Sequence, residues 1–363
     1  MKAWRLHGAG GEFAFEDRVV PTPGPGGAVV RIEAAPVLSY MRKVLDGSLG
    51  YALPAGTFTP GTNGVGVVEA VGPGVYHLQP GQRVALSPHH LVDERVAAPA
   101  QLLIGLTAMG SARFGALDAA TLALQADWPD GSFATHAHLP AATMTPLDGL
   151  DAVSPEQLAG LGKFIVPYGG FLRGGLVAGE VAIVNGATGF YGAAGVLVAL
   201  AMGAARVVAA GRDATQLDAL AAAGGDRVVT VGLSGDVEQD AAALRDAADG
   251  SGAVALDMVG RATGAESTLA SLKALGRGGR LVLMGSMTVP LPVPVGEMLG
   301  NNWSILGNFM YPKDAMARLA ALVRAGLLDL GALNVERFTL ADLEGAMTAA
   351  AAMRGLDLTV VTP

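Results

Sequence analysis

The chain has 363 residues, of which 51% are hydrophobic and 15% charged, with a net charge of −8 and no cysteine. That length exceeds one compact core and implies two domains. The apolar share excludes global disorder, and the acidic balance sets nucleic acid aside as a main partner. Without cysteine, disulfides, thiolate catalysis and Cys-ligated zinc or iron–sulfur sites are excluded.

Residues 1–15 contain no apolar h-region, so no signal peptide is read and a cytoplasmic protein is expected. Strand-like segments follow at 2–6, 28–34, 64–71 and 82–86, separated by Pro21-Thr22-Pro23-Gly24-Pro25-Gly26-Gly27, Pro73-Gly74 and Pro80-Gly81. Such punctuation is an all-β pattern. Residues 91–150 carry little periodicity, apart from a strand expected near 133–139. From about 155, apolar runs at 181–184, 206–209, 227–231, 253–257, 280–284 and 303–306 alternate with helical stretches at 193–202, 215–223, 237–248 and 263–275. Unbroken apolar strands alternating with helices imply a parallel sheet covered on both faces, of the doubly wound dinucleotide-binding kind. The uncharged run 181–205 reads as a buried strand, a tight turn and a packed helix rather than a membrane span, because it holds Asn185, Thr188 and five glycines. Helices near 313–324 and 340–354 and a β-like tail at 358–361 close the chain, the tail positioned to return to the N-terminal domain.

The sharpest local signal is Asn185-Gly186-Ala187-Thr188-Gly189-Phe190-Tyr191-Gly192, directly after the run Val181-Ala182-Ile183-Val184. A strand entering a glycine turn that opens a helix presents unsatisfied N–H groups and the positive helix end to an anion. The spacing Gly-x-x-Gly-x-x-Gly is weak alone and gains its meaning inside a β-α-β unit. The next strand ends Ala209-Ala210-Gly211-Arg212, with no acid to take a ribose 2′-hydroxyl. Arg212 suits a 2′-phosphate, so NADP(H) is expected over NAD(H). The alternative is that Arg212 is a solvated charge and Asp213 takes the ribose.

These residues resemble the medium-chain dehydrogenase/reductase superfamily, and within it the zinc-free branch of quinone oxidoreductases and enoyl reductases. The resemblance rests on Pro60-Gly61-Thr62-Asn63-Gly64-Val65-Gly66-Val67-Val68-Glu69-Ala70-Val71-Gly72, Leu78-Gln79-Pro80-Gly81-Gln82-Arg83-Val84, Gly186-Ala187-Thr188-Gly189 and Asp257-Met258-Val259-Gly260. It implies an α/β fold in which a GroES-like β-barrel substrate domain (1–154 and 312–363) flanks a Rossmann cofactor domain (155–311). It also implies a homodimer or homotetramer, and adds Val259, Gly285 and Ser286 to the cofactor site. Where the zinc-dependent pattern has Cys, His-Glu and a further ligand, this chain has Leu38, Thr62-Asn63 and the vicinity of Gly162. No catalytic zinc is expected. The pair His136 and His138, one residue apart, lacks a recognisable third ligand.

Hydride chemistry on a quinone, enone or enoyl thioester needs no Lewis acid when the acceptor's conjugation spreads the charge. A tyrosine hydroxyl then suits the proton step. Tyr40 falls where zinc relatives carry a relay Ser or Thr. Tyr51 lies two residues beyond the tyrosine of similar enoyl-thioester reductases. Tyr168 leads into the cofactor domain. Each tyrosine also reads as a half-buried aromatic packed for its area. By resemblance, the stretch 281–291 pairs across a dimer. Two other readings stand beside the reductase: an NADP-dependent alcohol dehydrogenase or carbonyl reductase, and a non-catalytic dinucleotide sensor.

Overall fold

The structure, a computed structural model, describes residues 1–96, 99–109 and 117–363. The chain divides into two compact units. One comprises Met1–Gly162, Leu333–Met353 and Leu358–Pro363; the other comprises Lys163–Ala332 and Arg354–Asp357. The divisions therefore fall at 162 and 332, where the sequence reading puts them at 154 and 311.

In the first unit Gly27–Pro36 is the central strand. It pairs antiparallel with Gly64–Val71 on one side and with the C-terminal strand Asp357–Thr362 on the other, and His136–Pro140 also lies against it. The tail thus returns to the N-terminal unit. Strand Lys2–His7 buries Ala3 to Leu6, and its Trp4 stacks on Phe13 and Phe15 of the neighbouring strand Phe13–Asp17 (centroids 4.6 and 5.3 Å). The indole of Trp4 also donates to the Leu340 carbonyl at 2.7 Å, tying in the C-terminal part of the unit. Arg5, 8% exposed, is held by Asp130, Thr59 and the Thr57 carbonyl. Such a cation is tolerated inside because it is hydrogen-bonded and paired.

The second unit is built on six parallel strands. In spatial order they are Val228–Gly232, Arg206–Gly211, Val181–Asn185, Gly252–Asp257, Leu275–Leu283 and Ser304–Gly307. In chain order this is 3-2-1-4-5-6, with the switch point between the strands ending at Asn185 and Asp257. Ile183, Val208, Ala255 and Leu281 are fully buried, as strands covered on both faces require. The α/β fold expected from the sequence is the one observed.

The stretch 281–291 is not one strand. The strand stops at Leu283 and lies inside the sheet rather than at its edge. Pro290, Pro292 and Pro294 remove the N–H donors a longer ladder needs. Among the described residues, no helix is long and apolar enough to cross a membrane.

Candidate active site

In the second unit, Gly186 follows the first strand with φ +80°, a conformation glycine adopts without a steric penalty. Its N–H and that of Ala187 donate to the Ala210 carbonyl (3.1 and 2.9 Å), which curls the turn over the second strand. A Cβ on Gly192 would sit 2.0 Å from the Gly186 carbonyl oxygen, so helix Phe190–Ala201 packs on the turn only through glycine. That helix is capped by Gly189, which has no side chain to satisfy the first N–H groups. They remain available to a phosphate. Phe190 and Tyr191 stand edge to face at 4.9 Å.

Asn185 and Ala187, both expected at the cofactor, are fully buried. Asn185 Nδ2 donates to Asp257 Oδ1 (2.8 Å) and Ser267 Oγ (3.2 Å), clamping the two strands at the switch point. Its side chain therefore serves the turn from beneath. Burial pushes the Asp257 carboxyl up to about 6, against the opposing hydrogen bonds from Val259 N–H and Asn185. Val259, Gly285 and Ser286 gather at the same strand ends: Gly285 N–H donates to Asp257 O (2.9 Å) and Ser286 N–H to Val259 O (3.0 Å). Gly211 ends the second strand. Arg212 beside it is exposed, whereas Asp213 caps helix Ala214–Gly224 by accepting from Gln216 N–H at 3.2 Å.

Sequence reading passed over Lys163, which is 2% exposed. Its Nζ donates to the carbonyls of Gly355 (2.6 Å) and Asp357 (2.9 Å) and lies 4.1 Å from the Phe190 ring centroid. Gly355 N–H in turn donates to the Thr188 carbonyl at 3.2 Å, so segment Arg354–Asp357 is fastened to the glycine turn. Burial lowers the Lys163 pKa to about 7, partly opposed by Asp357. The available signal was a lone cation in the apolar stretch 158–166.

In the first unit, Leu38, Thr62 and Asn63 are 8%, 5% and 8% exposed. Thr62 Oγ1 and Asn63 Oδ1 are buried without a hydrogen-bond partner. Gly162 lies directly against Asn63: a Cβ there would stand 2.6 Å from Asn63 Cγ. The asparagine amide thus takes the volume a side chain at 162 would need. Zinc sites use thiolate, imidazole or carboxylate; Leu38 and Gly162 bring no donor and Thr62 and Asn63 bring neutral oxygens. These residues do not fit a catalytic zinc. His136 pairs with Glu69 (3.3 Å) and His138 packs on Trp128 (5.0 Å). Among the described residues, no three His, Cys, Asp or Glu groups converge to hold a metal.

Tyr40 and Tyr51 meet edge to face at 6.5 Å, both half-buried, with Tyr40 opening helix Met41–Leu45. The third candidate, Tyr168, belongs to the second unit, 4% exposed within helix Leu161–Gly174.

Two family models match the chain: an alcohol dehydrogenase GroES-like domain over residues 24–149, and a zinc-binding dehydrogenase domain over 192–325. The latter stretch contains no His and no Cys in this chain. A Rhizobium meliloti protein provisionally named D-xylulose reductase is 30% identical over 271 residues, 74% of this chain and 72% of that protein. Human sorbitol dehydrogenase is 29% identical over 308 residues, 84% and 80% of the two chains. Among solved structures, one from Sinorhizobium meliloti is provisionally described as a zinc-binding dehydrogenase bound to NADP. It superposes with a TM-score of 0.79 at 24% identity, covering 100% of this chain and 99% of that one. A thermostable alcohol dehydrogenase from Pyrobaculum aerophilum gives 0.74 at 22%, with 100% and 99% covered.

Proposed function

Because the chain belongs to the medium-chain dehydrogenase/reductase superfamily and is an oxidoreductase, we propose that it is a zinc-independent, NADP(H)-dependent reductase of conjugated carbonyl acceptors: quinones, enones or enoyl thioesters. The observation that carries this reading is the set Leu38, Thr62, Asn63 and Gly162, in which Asn63 occupies the space beside Gly162 and no side chain suits zinc. A conjugated acceptor answers the loss of a Lewis acid, since its own π system disperses the incoming charge.

When bound, the reduced nicotinamide supplies the hydride. The chain's part is to hold and orient. The opening turn of helix Phe190–Ala201 offers backbone N–H groups to a pyrophosphate, and Gly186, Gly189 and Gly192 bring no side chain to block its approach. Arg212 offers two N–H groups to a 2′-phosphate, and support for that preference comes from Asp213, whose carboxylate is spent on its helix cap. Tyr40 and Tyr51 place two hydroxyls in the first unit as candidates to deliver the proton.

A homodimer or homotetramer belongs to the same reading. It is supported by apolar side chains left exposed near the sixth strand: Val293 (40%), Val295 (66%), Leu299 (75%) and Phe309 (43%). Light scattering at micromolar concentration checks it, and a monomer refutes it. The names of the relatives favour a second reading, an NADP-linked alcohol or polyol dehydrogenase.

The test is NADPH consumption against quinones, enones, enoyl thioesters, simple ketones and ketoses, with and without a chelator. Turnover of conjugated acceptors that ignores chelator is expected. Turnover confined to ketones or ketoses, or abolished by chelation, overturns the proposal in favour of the second reading.

A further inference from the structure

We propose that Lys163 is a positioning residue for the dinucleotide: it ties Thr188 and Phe190 of the glycine turn in place, so that the cofactor's pyrophosphate meets backbone N–H groups already arranged. This rests on the reading above that the turn holds a nicotinamide dinucleotide, and it adds a residue from outside the turn to that site.

Three observations carry it. First, Lys163 is 2% exposed, a place where lysine is almost never found without compensation. Its compensation comes from one short stretch of chain: Nζ donates to the carbonyls of Gly355 (2.6 Å) and Asp357 (2.9 Å). That stretch is closed on itself, with Asp357 N–H donating to the Arg354 carbonyl (2.9 Å) and Arg354 N–H to Asp357 Oδ2 (3.0 Å). It is also seated against helix Ala214–Gly224, since Gly355 has φ +49° and a Cβ there would strike Gln216 Oε1. The lysine therefore grips a fixed piece of backbone. Two of its N–H groups satisfy the two carbonyls, so the tie does not depend on the third proton.

Second, the same side chain reaches both residues that flank Gly189, the cap without a side chain. Nζ lies 4.1 Å from the centroid of the Phe190 ring, and Phe190 is the first residue of helix Phe190–Ala201. On the other flank, Gly355 N–H donates to the Thr188 carbonyl (3.2 Å), one bond removed from the lysine. Third, the turn needs a brace. Gly186, Gly189 and Gly192 leave room for a phosphate, and they also leave the chain free to abandon that shape, because glycine has the most conformational freedom to lose. Ordering a segment on binding subtracts from affinity, whereas a site held in its bound shape keeps that energy.

The test uses the full-length protein, NADPH and adenosine 2′-monophosphate, a fragment with the 2′-phosphate and no pyrophosphate. Lys163→Met keeps an unbranched buried stem and removes the donors. It is expected to raise the Kd and KM for NADPH roughly tenfold, the loss falling on KM rather than kcat, with the Kd of the fragment unchanged. Lys163→Arg, which keeps N–H donors, is expected to recover most of the affinity. Should the methionine variant not fold, Lys163→Gln, one bond shorter, carries the same expectation. An unchanged NADPH Kd in a folded variant overturns the proposal and makes Lys163 a residue of the fold alone. Equal weakening of NADPH and the fragment also overturns it, because the whole site is then disturbed rather than the turn. A preference of the unaltered protein for NADH overturns the NADP(H) reading instead; the same split then stands or falls with NADH and adenosine.

Discussion

The glycine turn of the second unit and the positions Leu38, Thr62, Asn63 and Gly162 of the first obey different rules. At the turn, the proposed binding rests on backbone geometry: Gly186 adopts φ +80°, and Gly192 leaves room for a carbonyl oxygen that any Cβ would strike. Steric exclusion allows almost no other residues there, so the pattern survives in recognisable form. The positions in the first unit have no such constraint. They hold side chains whose identity sets the chemistry, and here two bring no donor while two bring neutral ones. The difference teaches that a backbone-built feature is fixed by steric exclusion, whereas one built from side chains is fixed only by their chemistry.

The comparison breaks most visibly at Gly192. Valine there would collide with the Gly186 carbonyl, and a loss of NADPH affinity on the order of 10², about 3 kcal/mol, is expected by fluorescence titration. Retained affinity would mean that the turn does not hold the pyrophosphate.

A smaller effect sharpens the cofactor side. Arg212→Ala is expected to reduce the NADPH-over-NADH preference in kcat/KM by about tenfold to a hundredfold, the worth of one or two charge-assisted hydrogen bonds. A preference that survives unchanged transfers the ribose to Asp213.

An effect on stability rather than on binding is expected in the pH dependence. The Asp257 carboxyl titrates at about 6 in the fold, raised from 3.8 chiefly by burial. The folded state therefore binds the proton more tightly, and the stability this contributes is complete below about 4 and lost as pH rises to about 6. The span is at most about 3 kcal/mol. Urea midpoints between those pH values should fall with rising pH, and Asp257→Asn should flatten that trend. A variant with the same slope as the parent would assign the titration to another group.

Much of this was legible in the residues. All six strands of the parallel sheet were readable, because burial on both faces writes continuous apolar runs such as Val181-Ala182-Ile183-Val184. The turn was readable for the steric reason given above. Leu38 and Thr62-Asn63 stood out as departures only through the resemblance to the zinc-dependent pattern. What the sequence hid depends on distant parts of the chain. The packing of Asn63 against Gly162 joins positions a hundred residues apart. Lys163 meets Gly355 and Asp357, which no local window contains. Asn185 reads as a cofactor residue, and its amide also clamps two strands, which the sequence hid because only the fold brings Asp257 beside it. The three-residue strands Gln101–Leu103 and Thr107–Met109 are too short to show a period. That the strand stops at Leu283 within 281–291 was hidden because apolar content was read without weighing the alternating prolines.

The most direct measurement is the metal content of the active enzyme by plasma mass spectrometry, taken beside its turnover of a conjugated acceptor before and after dialysis against a chelator. Zinc far below one atom per chain, with turnover preserved, is the result predicted by Leu38, Thr62, Asn63 and Gly162. One zinc per chain whose removal abolishes turnover would contradict the account.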